Sequence, residues 1–173
     1  SPTKVVAVGT NYRKHAAEMG RALPTVPKIF FKPPSAIIGP GEPIVLPPCS
    51  ERVDHEAELA VVIGERCRHV PESQVAEVIA GFTCANDVTA RDHQKTDGVF
   101  ARAKGFDSFC PLGPELVTGL DPEGLNVRCF VNGDLRQDGN TEDLIFDVPR
   151  IVAFVSSIMR LEVGDILLTG TPS

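Results

Sequence analysis

Apolar positions along this chain come in short blocks, mostly of strand length, rather than in one sustained period. Lys4–Gly9 reads as a first strand, and Val61-Val62-Ile63 ending at Gly64 as a buried one. Lys28–Lys32, stopped by Pro33-Pro34, Phe82–Asn86 and Ile166–Thr169 follow the same pattern. Ile44–Leu46 resumes extended chain between the turn cluster at Gly39–Pro43 and Pro47-Pro48. Asn132-Gly133, set between Val127–Val131 and Asp134–Gln137, predicts a hairpin with a type I′ turn. Helical signals are fewer. Tyr12–Met19 predicts a short helix ending at Gly20, ahead of a Pro-rich loop through Pro27. Pro71–Ala80 has an early proline, an acidic first turn and a following Gly81, the marks of a capped helix. Another helix is expected near Thr89–Gln94. Asp147 can cap one from Val148 to Arg160, with Ile151, Val152, Val155, Ile158 and Met159 spaced for a core face. Strands outnumber helices and no βαβ rhythm is present, which predicts an α+β fold with a dominant sheet. With no repeat, low-complexity tract or long linker, residues 1–173 are expected to form a single domain.

Composition narrows the functional classes. At 42% hydrophobic and 23% charged residues the chain is ordinary for a globular protein, and its formal net charge of −6 gives no footprint for nucleic acid or an anionic membrane. It contains no run of 18 apolar residues, and Ser1–Thr10 carries no leader signal. The five cysteines are odd in number and lack any C-x-x-C, which favours reduced thiols, mostly small core residues, in a cytoplasmic setting.

The chemistry concentrates in Asp54-His55-Glu56-Ala57-Glu58-Leu59, where two carboxylates two residues apart enter the apolar run. In a strand, residues i and i+2 share a face, so Glu56 and Glu58 stand side by side. Two like charges at a buried strand end need neutralising. A hard divalent cation would do so; alternatively Glu58 faces solvent and Glu56 pairs with an arginine. Asp87 lies where Gly81–Asn86 gives way to the helical Thr89–Gln94, as an N-cap or as a third oxygen ligand. Arg91 could hold a substrate carboxylate from the same cleft, or pair with Asp87 or Asp92. His15 and Glu18 share a helix face at i and i+3, either as an acid–base pair on a lid or as a solvated surface. His69 and His93 read as surface residues, and His55 as packed or paired away from the carboxylates. Lys104, beside Gly105, could steady a developing enolate or be a solvated loop lysine. Thr169–Ser173 offers hydroxyls and amides to a carboxylate.

Taken in order, His15-Ala-Ala-Glu18, Phe31-Lys32-Pro33, Asp54–Leu59, Asn86-Asp87-Val88-Thr89-Ala90-Arg91-Asp92, Ala103-Lys104-Gly105-Phe106-Asp107 and Leu168-Thr169-Gly170-Thr171-Pro172 resemble the fumarylacetoacetate hydrolase family over nearly the whole chain. The likeness is to its small single-domain branch of acylpyruvate hydrolases, oxaloacetate decarboxylases and 2-hydroxyhepta-2,4-diene-1,7-dioate isomerases. The resemblance implies a mixed β-roll with peripheral helices and a homodimer. It implies Glu56, Glu58 and Asp87 as ligands to Mg²⁺ or Mn²⁺, and a His15–Glu18 lid dyad, within about residues 11–27, that activates water. It further implies that Lys104 stabilises an enolate, while Arg91, Gln94 and Thr171 line a 2-oxo-acid pocket. Two departures stand out. Phe100 replaces a tryptophan common in relatives, and the chain stops at Ser173 where relatives continue, so a truncated C-terminus is expected.

The implied activity is metal-dependent C–C cleavage, by hydrolysis or decarboxylation, of short 2-oxo or 2,4-dioxo acids through an enolate that the cation stabilises. The alternative is isomerisation of a 2-hydroxy-diene-dioate, in which the enolate is reprotonated elsewhere. A non-catalytic binding module is the lesser alternative. Substrate choice is expected to rest on two loops, Arg21–Pro27 and Lys95–Arg102.

Overall fold

The apolar runs form the centre of a seven-stranded mixed sheet that curls around the site. The computed structural model describes residues 1–20 and 22–173; Arg21, in the expected lid, lies outside the described residues. In chain order the elements begin with β1 (Val5–Gly9), α1 (Arg13–Glu18), β2 (Lys28–Lys32), β3 (Ile37–Ile38), β4 (Val53–Asp54) and β5 (Ala57–Ile63). Next come α2 (Val75–Val78), β6 (Ile79–Asn86), β7 (Thr89–Ala90), α3 (Arg91–Asp97) and α4 (Ala101–Lys104). The chain ends with β8 (Cys110–Val117), β9 (Asn126–Val131), β10 (Asp134–Asn140), α5 (Val148–Ile158) and β11 (Ile166–Leu168). The main sheet runs β2-β1-β11-β5-β6-β8-β3, while β9–β10 and β4–β7 form two small antiparallel pairs. Among the described residues only β1–β11 and β3–β8 are parallel. No helix among the described residues is long and apolar enough to cross a membrane.

Both faces of the central strands are covered, which is why they read as unbroken apolar runs instead of alternating ones. On one face α5 lays Val148, Ile151, Val152 and Val155 against Val6, Val8, Leu59, Val61, Ile63 and Leu167. Asp147 caps that helix by accepting the Arg150 N–H at 2.9 Å. On the other face Val5, Ala7, Ala60, Ile166 and Leu168 pack with Ala36, Ala85 and Cys110. Glu56 and Glu58 continue the even-numbered positions of this second face beyond Ala60.

Several expectations change. The helix expected over Pro71–Ala80 shrinks to a 3₁₀ turn at Glu72–Gln74 plus α2, and β6 begins at Ile79. Gly81 is no helix stop. It lies inside β6, where an added Cβ would come within 2.4 Å of the Val117 carbonyl oxygen. Thr89 and Ala90 pair with Asp54 and Val53, so the next helix starts only at Arg91 and ends at Gly98, which has a φ of 68°. Lys95–Arg102 is therefore largely helical rather than a loop. The Ile44–Leu46 segment joins no strand, and β8 escapes the pattern because Pro111, Gly113 and Pro114 interrupt it. The hairpin is present, with Asn132 and Gly133 both at positive φ as its turn requires. The last helix stops at Ile158, which faces solvent. Of the five free cysteines only Cys67 and Cys110 are buried.

Asp165 anchors the amino-terminal strand. It is fully buried, and its Oδ1 accepts the Thr3 N–H (2.9 Å), the Thr3 hydroxyl (2.7 Å) and the Lys4 N–H (3.1 Å). Its Oδ2 accepts the Glu162 N–H at 2.8 Å and pairs with the Lys4 ammonium. Burial pushes the carboxyl up, but the bonds from Lys4, Glu162 and Thr3 outweigh it and hold it below the usual range. A depressed carboxyl stabilises the fold fully above its unfolded value near pH ~4, and that contribution disappears as pH falls through the folded value. Asp165→Asn is expected to cost about 1–3 kcal/mol at neutral pH, and less on acidification, by urea denaturation over a pH series. A cost independent of pH would exclude the charge as its source.

Candidate active site

Strand register assembles the site. β5 and β6 pair with Ala57 opposite Asn86 and Glu58 opposite Ala85, which sets Asp87 beside Glu56. The Asp87 N–H donates to the Glu56 carbonyl at 2.8 Å, and the Asn86 side-chain oxygen accepts the Glu56 N–H at 2.9 Å. Glu56, Glu58 and Asp87 are all buried, and each offers an oxygen within 4.8 Å of the others. Asp87 caps nothing, because the residue before α3 is Ala90.

Three cations meet this charge. Lys104 Nζ lies 2.7 Å from Glu56 Oε2 and 2.5 Å from Asp87 Oδ2, and 5.0 Å from the centre of the Phe30 ring. Lys32 Nζ lies 2.6 Å from Asp87 Oδ1, with side-chain exposures of 0% and 1% for the pair. Arg91 Nη1 contacts Glu56 Oε1 at 2.7 Å, and its Nε reaches Asp54 at 2.9 Å. Burial alone would raise the Asp87 carboxyl, but Lys104 and Lys32 hold it below the usual range. Burial would lower the Lys104 ammonium, but Asp87 and Glu56 outweigh it and raise its value. Glu58 behaves oppositely. Burial, then Asp87 and Glu56, push its carboxyl well above the ordinary range. Glu58 accepts the Gly170 N–H at 2.6 Å, presented from a φ of 98° that disfavours any residue with a Cβ.

These residues open onto a cavity of about 290 Å³ also lined by His15, Met19, Phe30, Gln94, Lys95, Phe100 and Thr171. Phe30 and Phe100 meet edge-on, 5.0 Å between ring centres, and give it an apolar wall. A larger groove of about 680 Å³ lies elsewhere, between α2, β6 and the start of α5, and contains none of this chemistry.

Residues 4–173 match the family model described as "Fumarylacetoacetate (FAA) hydrolase C-terminal". The chain belongs to this family. It is 47% identical over 175 residues to the mitochondrial oxaloacetate tautomerase Fahd2a of Rattus norvegicus, covering 99% of this chain and 56% of that protein. Among solved structures it resembles 5-carboxymethyl-2-hydroxymuconate delta-isomerase from Mycobacterium smegmatis, with a TM-score of 0.93 and 52% identity over 99% of this chain and 68% of that one. It also resembles 2-hydroxyhepta-2,4-diene-1,7-dioate isomerase from Mycobacterium marinum, with a TM-score of 0.92 and 47% identity over 99% and 64%.

Within this member of the fumarylacetoacetate hydrolase family, the cavity gathers every residue named from sequence except one. His15, Glu56, Glu58, Asp87, Arg91, Gln94, Lys104 and Thr171 line it together. Glu18 is exposed and lines a neighbouring cavity with Lys14, Asp138 and Asp143. A step of three residues turns the side chain some 60° around the helix from His15, enough on so short a helix to face another opening. Arg91 pairs with Asp54 and Glu56 rather than with Asp87 or Asp92. His55 contacts Gln137 Oε1 through Nδ1 at 3.1 Å, while His93 is half-buried beside Phe106 rather than solvated.

Three contributors were given no role from sequence, although Lys32 lies in a motif that carries the family resemblance. Lys32 is one, its charge hidden at the end of an apolar strand. Gln137 is another: its Nε2 donates to Thr171 Oγ1 and to the Pro172 carbonyl, both at 2.8 Å, and its Oε1 accepts the Ala57 N–H at 2.8 Å. Asn11 is the third. Fully buried, it donates to the carbonyls of Phe146 (2.9 Å) and Thr169 (2.7 Å) and accepts the Phe146 N–H (2.8 Å), pinning the start of α1 and so placing His15.

The donor set fits a hard divalent cation. All three donors are carboxylates, and oxygen-only sets suit Mg²⁺ or Mn²⁺. Glu58 also lacks an ammonium or guanidinium partner in any ion pair among the described residues, so Lys104 opposes its charge only from beyond ion-pair distance. Lys32, by contrast, is a permanent counter-ion outside the cavity. Lys32→Met is expected to destabilise the fold by about 3–5 kcal/mol in equilibrium denaturation, because it leaves Asp87 short of a buried partner. A loss below about 1 kcal/mol, the range of surface pairs, would mean that Lys104 alone compensates Asp87.

Proposed function

We propose that this chain is an enzyme that moves a proton between the enol and keto forms of short 2-oxo acids, by isomerisation or tautomerisation. The observation that carries the reading is the buried Glu56, Glu58 and Asp87 cluster bridged by Lys104 at the floor of a small cavity. The relatives named as an oxaloacetate tautomerase and as diene-dioate isomerases support it. Glu56, Glu58 and Asp87 would hold Mg²⁺ or Mn²⁺, which when bound acts as a Lewis acid that draws electron density from a 2-oxo group and acidifies the adjoining C–H.

The chain's own residues supply the rest. An isomerisation takes a proton from one atom and returns one to another, and Lys104 and His15 are the groups assigned to carry it among those that line the cavity. Lys104 does so from the floor, and His15 from α1. Lys104 reaches the cavity while Lys32 stays behind Asp87, so Lys104 can donate to the substrate while Lys32 keeps its pairing with Asp87. Arg91 is fixed by Asp54, Glu56 and the Gln94 side-chain oxygen at 3.0 Å, and presents its fork to a substrate carboxylate without losing its orientation. Thr171 is held by Gln137 and by donating to the Ala57 carbonyl at 2.9 Å. The apolar wall of Phe30 and Phe100 limits water near the reacting carbon.

A second reading, C–C cleavage by hydrolysis or decarboxylation, uses the same enolate. His15 on the cavity wall favours it as a group that could activate water, while the position of Glu18 in another opening weighs against the pairing that such activation would use.

Product analysis separates the two. With Mg²⁺ or Mn²⁺, a 2-hydroxy-diene-dioate is expected to change its ultraviolet spectrum with no change in mass, and Lys104→Met to slow that change by about 10²–10⁴-fold. Stoichiometric release of pyruvate or CO₂ would move the assignment to C–C cleavage. No reaction of dienol, acylpyruvate or oxaloacetate would sink both.

A further inference from the structure

Lys95 is the one lysine or arginine lining the cavity that forms no ion pair among the described residues. Arg91 is held by Asp54 and Glu56, and Lys104 by Glu56 and Asp87. The acidic neighbours of Lys95 on α3 are engaged elsewhere. Asp92 accepts the Ser50 hydroxyl (2.7 Å) and the Glu51 N–H (2.9 Å), while Asp97 pairs with Arg102 at 2.5 Å. Lys95 is exposed, so it stands at the mouth of the cavity rather than on its floor.

Helix geometry relates it to the inner site. Arg91, Gln94 and Lys95 occupy positions i, i+3 and i+4 of α3 and line one wall. With a rise of about 1.5 Å per residue, Lys95 is set roughly 6 Å along the helix from Arg91. A 2-oxo acid whose first carboxylate lies near Arg91 would then bring the far end of its chain toward Lys95.

Charge balance agrees. Three carboxylates line the cavity (Glu56, Glu58 and Asp87) against three cations (Arg91, Lys95 and Lys104). Lys32 and Asp54 touch the cluster from outside and cancel one another. A divalent ion would leave two positive charges for the substrate to meet, one of them owed to Lys95. We infer that Lys95 receives a second carboxylate at the far end of the substrate, so that the site selects dianionic over monoanionic 2-oxo acids. This rests on the 2-oxo-acid reading above and names the substrate class within it. Lys95 acts on binding and not on the reacting bond.

A matched pair of probes, both already at their keto–enol equilibrium and so showing no net reaction, tests it: 2-oxoglutarate, and 2-oxopentanoate, which has a methyl group in place of the second carboxylate. Both are titrated by calorimetry into the Mg²⁺-loaded protein. The parent is expected to prefer 2-oxoglutarate. Lys95→Gln should weaken 2-oxoglutarate by roughly five- to ten-fold, leave 2-oxopentanoate unchanged and flatten the salt dependence of the difference, whereas Lys95→Arg retains the preference. Equal weakening of both probes, or of neither, with the parent binding both, overturns the role of Lys95 and leaves the 2-oxo-acid reading standing. If neither probe binds the parent, the reading and the inference fall together.

Discussion

The structure turns on one electrostatic problem: three carboxylates held within 4.8 Å of one another and almost out of water. Removing an isolated carboxylate from water costs far more than a fold of this size has to spare, so the cluster exists only because something else is buried with it. Lys32 and Lys104 meet the two oxygens of Asp87 from opposite sides, and Arg91 meets Glu56. Much of the surrounding architecture serves to deliver those groups. β2 pairs along β1, with Lys32 opposite Val5, and so brings an ammonium through the sheet edge. α4 is a single turn whose last residue is Lys104. β4 and β7 pair so that Asp54 can hold Arg91 in place.

The two lysines are chemically alike and structurally different. Lys32 is sealed off from the cavity and gives its hydrogen bonds to Asp87 and to the Val88 carbonyl. Lys104 lies on the cavity floor and shares its hydrogen bonds between Glu56 and Asp87, so it has an alternative acceptor when a ligand arrives. Asymmetry of this kind lets one carboxylate stay ionised while its neighbours respond to what binds. The same rigidity extends to the opposite wall. There Asn11 ties the entry to α1 to the chain on either side, so His15 sits on a fixed base although its helix has only six residues.

How much of this was legible follows the same physics. The side-by-side placement of Glu56 and Glu58 could be read from strand parity alone, and the central strands from their unbroken apolar runs, since both signals are local. Asp87 was ambiguous because a carboxylate between a strand and a helix looks like a cap. The two-residue pairing of Thr89 and Ala90 with Asp54 and Val53, a contact across more than 30 positions, delays the helix and frees the side chain. Lys32, Asn11 and Gln137 could be given no role from sequence, because the function of a buried polar residue is marked by its distant partners and not by its neighbours in sequence. β8 was hidden by its own prolines. Glu18 shows the converse failure. Helical spacing placed it on the His15 side, but on a short helix between two openings a 60° difference is enough to separate them.

A fixed cluster of charge would let one frame serve either of the 2-oxo-acid reactions proposed for it. Under the proposed function, stabilising an enolate would call on the carboxylate cluster with its cation and on Lys104, and neither depends on how the enolate formed. What distinguishes the outcomes is the fate of the proton and access for water, and those are set at the rim. There Phe30 and Phe100 form an apolar wall, and Glu18 faces away into a second opening. With a basic group on the wall but its acidic neighbour outside, the cavity is better arranged to pass a proton than to deliver an attacking hydroxide. The rim can therefore change more cheaply than the floor, where any change exposes a buried charge.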